Sequence, residues 1–122
     1  MKRILSVFLL ILISVQASAA FYTTEYLKGL IDSCNAMPET FDATLENFAR
    51  VKDCGLSTGY ILGIYDESNV ISDRSKCFPE TLQSEDVVRV VEHWLQAHPE
   101  SWQQPADRSV SSALGEGWLC PD

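Results

Sequence analysis

The chain has 122 residues, 17 acidic against 9 basic, with four cysteines. At about 150 residues per domain this length supports one domain and is too short for a two-domain enzyme. The acidity excludes nucleic acid as a partner, because phosphate backbones are bound by Lys and Arg patches that release counterions. It also argues against docking on an anionic membrane surface.

At the start, Lys2 and Arg3 precede an apolar run over residues 4–15, and Ala17-Ser18-Ala19 then places small residues where a signal peptidase reads. This predicts a secretory signal peptide over residues 1–19 and a single domain over residues 20–122. The apolar run is shorter than the ~20 residues of a membrane-spanning helix, and no cysteine follows the cleavage site to take a lipid. The expectation is a soluble exported protein with no membrane attachment once the leader is removed. Without Lys2 and Arg3, 7 basic residues face 17 acidic ones, a formal charge of −10 over 103 residues. Such a charge attracts a basic protein partner and speeds its association.

Tyr22, Tyr26, Leu27, Leu30, Ile31 and Cys34 recur at three- and four-residue steps, which predicts a helix over 24–35 capped by Thr23 or Thr24. Met37-Pro38 ends it, since the residue before a proline is pushed away from helical angles. A second helix is expected from Asp42 to about Asp66, with Leu45, Phe48, Ala49, Leu56, Tyr60 and Ile64 as its inward stripe. Gly55, Gly59 and Gly63 lie on one face of it, each costing up to ~1 kcal/mol against alanine. Either another backbone approaches that face closely or the three glycines are merely tolerated.

Residues 67–76 are polar apart from Val70 and Ile71 and predict a surface loop. Ser84 offers a cap for a third helix, with Glu85 and Asp86 complementing its positive end and Val87, Val88, Val91, Trp94 and Leu95 as the buried stripe. The run from Val87 to Val91 is β-branched, but its spacing favours helix over strand. Pro99 stops this helix after His98. Pro105 opens a fourth, with Ala106, Val110, Ala113 and Leu114 inward and Gly115 and Gly117 at its end. The fold class predicted is all-α, a small four-helix bundle.

Four cysteines in an exported chain of this size read as two disulfides. None stands in a Cys-x-x-Cys spacing, which speaks against a zinc knuckle or a thioredoxin-type redox site. Of the three connectivities, the helix pattern favours Cys34 with Cys54 and Cys77 with Cys120, each joining the end of one hairpin arm to its partner.

Catalytic chemistry is thinly supplied. The two histidines, His93 on an outer helix face and His98 beside Pro99, read as surface and capping residues. Adjacent carboxylates such as Asp66 with Glu67 project apart on a helix and do not form a glycosidase couple. No nucleophile elbow, phosphate-cradling loop or metal-ligand helix is present, so neither an enzyme nor a cofactor or metal is expected. A binding protein is the better reading. Trp102, between Ser101 and Gln103, is a candidate interface anchor.

Gly59-Tyr60-Ile61-Leu62-Gly63-Ile64-Tyr65-Asp66, then Cys77-Phe78-Pro79-Glu80, His98-Pro99-Glu100, Ala113-Leu114 and Trp118-Leu119-Cys120 form an ordered set. Over about residues 28–121 the chain resembles the Rap/Tai immunity proteins of type VI secretion systems. It departs from their pattern at Leu119, where a proline commonly precedes the last cysteine, and at Ser57-Thr58, where the second cysteine is expected nearer the glycine. The resemblance implies a helical, disulfide-held protein of the periplasm that binds and blocks a peptidoglycan-cleaving amidase, often as a homodimer. Asp66, Glu67, Ser68 and Asn69, in the expected polar loop, are then the candidate residues for insertion over the toxin's cleft. The alternative is a non-enzymatic envelope protein, chaperone-like or structural, with no toxin partner.

Overall fold

The computed structural model describes residues 21–70 and 77–120. The expected signal peptide and residues 71–76 of the expected surface loop lie outside the described residues. Four helices run in the order α1 (Thr24–Asn35), α2 (Leu45–Val70), α3 (Ser84–Ala97) and α4 (Ala106–Gly117), with a short 3-10 turn at Pro99–Ser101 between the last two. No strand forms among the described residues. An isolated bridge pairs Thr23 with Pro105.

α1 has the predicted bounds. Thr23 is its cap, its Oγ1 accepting the Tyr26 N–H at 3.2 Å. Leu27, Leu30 and Ile31 point inward, whereas Tyr26 is half exposed. Thr24 Oγ1 lies 2.7 Å from Ser109 Oγ and donates to the Gln104 carbonyl at 2.9 Å. The Ala106 N–H donates to the Tyr22 carbonyl at 3.0 Å, so the start of α1 is sewn to the start of α4.

α2 differs from expectation in its bounds and its phase. It begins at Leu45 rather than Asp42, because the Thr44 hydroxyl accepts the Asn47 N–H at 3.2 Å while Asp42 is held as an acceptor for the Asn47 side chain. It continues to Val70, so Asp66, Glu67, Ser68 and Asn69 are helical and not part of a loop. The buried positions are Asn47, Ser57 and Ile61, while Leu45 is 90% exposed, Phe48 54% and Leu56 39%. The expected inward stripe is therefore largely outward at its N-terminal end. The two buried polar residues are satisfied locally: Ser57 Oγ donates to the Asp53 carbonyl at 2.8 Å.

α3 and α4 follow the expected stripes. Gln83, one residue before Ser84, is the cap of α3, and its N–H donates to the Asp86 carboxylate at 3.4 Å. Val87, Val91 and Leu95 are buried against Ala106, Val110, Ala113 and Leu114. Leu27 and Ile31 of α1 and Ile61 of α2 complete this core. Small residues on α4 let it settle close to α3. At Gly117 an added Cβ would stand 2.7 Å from Val90 Cγ1.

The bundle is stapled at both ends. Cys34–Cys54 joins α1 to α2 across 20 residues, and Cys77–Cys120 ties the segment before α3 to the one after α4 across 43. The Cys77 N–H also donates to the Trp118 carbonyl at 2.9 Å, and Phe78 lies edge-on to Tyr65 and Trp118 at centroid distances of 4.6 and 5.4 Å.

Two outcomes follow. Gly117→Ala should lower stability by about 1 kcal/mol in urea unfolding, as overpacking against the stiff Val90 outweighs the helix gain. In a Val90→Ala background the same change should stabilise; destabilisation there would refute the close-packing account. In the chain-entropy model closing the two loops contributes roughly 3 and 4 kcal/mol, so Cys120→Ser should lower the melting point further than Cys34→Ser. Equal melting points would remove that argument.

Candidate partner-binding surface

The last turns of α2 carry Asp66, Glu67 and Asn69 on the surface and Ser68 half-buried, its Oγ donating to the Ile64 carbonyl at 2.9 Å. The position is held from two sides. Tyr65 packs on Phe78, and Phe78 is fixed in turn by Trp118 and the neighbouring Cys77–Cys120 bond. No basic residue stands in the last turn of α2. Carboxylates near a helix C-terminus face its partial negative charge, which costs roughly 0.3–1 kcal/mol each at the surface. An acidic helix end with no cation of its own element is thus a place where a partner's cation would be welcomed.

Trp102 is not part of that constellation. It belongs to the junction of α1 and the 3-10 turn, half-buried, with its Nε1–H donating to the Leu95 carbonyl at 3.0 Å. Lys28 stands 5.3 Å above the ring centroid. The indole is consequently tied into the bundle by its polar edge and presents only part of its face.

His98 occupies a structural position. His98 Nδ1 lies 2.8 Å from the Trp94 carbonyl and its ring stacks on Trp94 at 4.1 Å, closing the end of α3 as its spacing suggested. His93 is exposed on the outer side of α3. They line a shallow groove of about 330 Å³ with Val90, Trp94 and Glu116. A second groove of about 290 Å³ runs between α1, α2 and α3, past Cys34, Thr58, Arg89 and Glu92. Among the described residues no group of three or more His, Cys, Asp or Glu is arranged to hold a metal ion. No helix of the described residues is long and apolar enough to cross a membrane.

Sequence reasoning missed the outward apolar side of α2. Leu45, Phe48 and Leu56, assigned inward by their hydrophobicity, are exposed, and Phe41 stands edge-on to Phe48 at 5.8 Å on the same end. The phase of Cys54 carried the needed signal. A cysteine bonded to α1 must face α1, and counting in threes and fours from it reaches Asn47, Ser57 and Ile61, not Leu45 or Phe48.

The arrangement is that of a helical bundle cross-linked by two disulfides, with an acidic helix end. No curated protein matches the chain. The Rap1a immunity proteins match it over residues 16–120, and the chain belongs to that family. Its implied partner is a toxin protein, and a non-enzymatic role is consistent with that membership. The disulfides point to an oxidising compartment outside the cytosol.

One group records the electrostatics of the α2–α4 contact. Burial first, then the Asp107 carboxylate, hold the Tyr60 phenol above its usual range, with Tyr22 5.0 Å away adding to the rise and a backbone hydrogen bond from Asp107 opposing it. The folded state keeps the Tyr60 proton longer than the unfolded chain, so this stability is full below about pH 10 and is lost as pH rises through the folded value. Alkaline unfolding curves should steepen above about pH 10 in the native chain. Tyr60→Phe should remove that component, and an unchanged alkaline curve would contradict the assignment.

Proposed function

We propose that this immunity protein works in the periplasm, where it binds a peptidoglycan-cleaving amidase delivered by type VI secretion and blocks it by covering the active-site cleft. The observation that carries the reading is the acidic end of α2, exposed, without a basic residue in its last turn and anchored beside the Cys77–Cys120 staple. Asp66, Glu67 and Asn69 supply acceptors there, Ser68 braces the turn, and Trp102 serves as a separate contact at the α1 end. A pre-formed, cross-linked surface loses little freedom on binding, which favours affinity.

The charge supports the same reading. An acidic chain steers a basic toxin over several ångströms and raises the encounter rate, an effect that salt screens. Inhibition needs no chemistry from the chain: occupation of the cleft excludes the cell-wall peptide. The family match favours this over an envelope helper without a toxin partner.

A peptidoglycan amidase encoded beside the gene is the appropriate probe. Co-exported with the native chain it should leave cells intact. Glu67→Lys should weaken binding in calorimetry about tenfold, roughly 1.4 kcal/mol, chiefly through a slower association rate at low salt, with the helical spectrum retained. Lysis despite co-expression of the native chain, or an unaltered affinity of the variant, would overturn this reading.

A further inference from the structure

The groove between α3 and α4 has a volume of about 330 Å³, at the low end of the range for ligand clefts. It is too small for a helix and has room for one long side chain. Its lining is apolar over Val90, Ala97 and Ala113, and one wall is aromatic, the His98 ring lying on the Trp94 ring at 4.1 Å with 16° between their planes. No Lys or Arg lines it.

Two polar groups of this groove are without partners. Glu116, exposed in the last turn of α4, forms no ion pair or hydrogen bond among the described residues, and no basic residue stands in that turn. Its carboxylate faces the partial negative end of the helix, so an incoming cation is favoured twice over. Trp94 Nε1 is buried with no acceptor, whereas Trp102 Nε1 is committed to the Leu95 carbonyl at 3.0 Å. The Trp94 ring can therefore adjust to an occupant without breaking a hydrogen bond of its own edge.

We propose that this groove is the receptor for one arginine side chain of the protein partner. The apolar stem lies along Val90, Ala97 and Ala113, while the guanidinium stacks on the Trp94–His98 pair and its fork meets the Glu116 carboxylate. An anionic side chain would be repelled by Glu116, and an apolar one would cover that carboxylate without pairing it. Lysine offers a compact, strongly hydrated ammonium that stacks less well and cannot bind the carboxylate through a planar fork. The groove is also continuous with the acidic end of α2. Gly117 at its edge leads into Trp118, which packs on Phe78, and Phe78 packs on Tyr65 beside Asp66. Arginines seated in pockets of this kind are recurrent anchors of protein interfaces. The assignment rests on the chain having a protein partner, not on that partner being an amidase, and no toxin enters its test.

The isotope-labelled mature chain is titrated with N-acetyl-arginine methylamide at constant ionic strength, and the tryptophan indole N–H resonances are followed by NMR, with Trp94→Phe identifying the one from Trp94. That resonance should shift saturably, with a dissociation constant in the millimolar range, while the Trp102 resonance stays in place. N-acetyl-lysine methylamide should bind about threefold more weakly, and N-acetyl-norleucine methylamide, which has the stem alone, should give no saturable shift. Glu116→Gln should weaken the arginine probe about tenfold with the helical spectrum retained. An unmoved Trp94 resonance, a norleucine probe as good as the arginine one, or an unaltered affinity in Glu116→Gln would each overturn the proposal, and would leave the amidase reading standing.

Discussion

Cys34 in the last turn of α1 is bonded to Cys54 in the third turn of α2, and this one covalent link sets the rotation of α2 about its own axis. With Cys54 held towards α1, Asn47, Ser57 and Ile61 must turn inward and Leu45, Phe48, Gly55, Gly59 and Gly63 outward. The buried side then contains two polar residues, which the helix tolerates because Ser57 bonds to the Asp53 carbonyl and Asn47 to Asp42. Ser33 Oγ reinforces the phase by donating to the Asp53 carboxylate at 2.7 Å. Hydrophobicity alone would rotate the helix the other way; the covalent Cys34–Cys54 bond, once formed, does not permit that rotation.

That phase divides α2 into regions with different work. Its middle supplies Ile61 to the core and Tyr60 to the contact with α4. The outer face is free of the bundle, and the C-terminal end extends as an acidic post beside the second staple. α3 and α4 pack directly on each other, Val87, Val91 and Leu95 meeting the small and branched residues of α4. A core of this size is modest for about a hundred residues, so the cross-links contribute a share comparable with the net stability of a small domain.

Much of the fold was legible because local signals agreed. α1 has its predicted bounds since Thr23 and Met37-Pro38 mark both ends, and α4 buries each residue of its predicted stripe. Both disulfides follow from the helix pattern even though Cys54 and Leu119 depart from the family's spacing. α2 was read wrongly where two signals conflicted, its apolar stripe and its cysteine. Its far end was read as loop because Asp66, Glu67, Ser68 and Asn69 look like linker residues, yet the packing of Tyr65 on Phe78 keeps the helix going past them. The bond from Trp102 to the Leu95 carbonyl depends on a contact between distant elements and left no local trace.

Membership of the immunity family implies that the chain protects by binding a toxin protein. The proposed reading is tested most directly by titrating the purified chain into an amidase's turnover of isolated cell wall. The account predicts a linear fall to zero at one chain per toxin molecule, with both proteins recovered intact afterwards. Complete inhibition by a small fraction of an equivalent, or recovery of a covalently altered toxin, would contradict it.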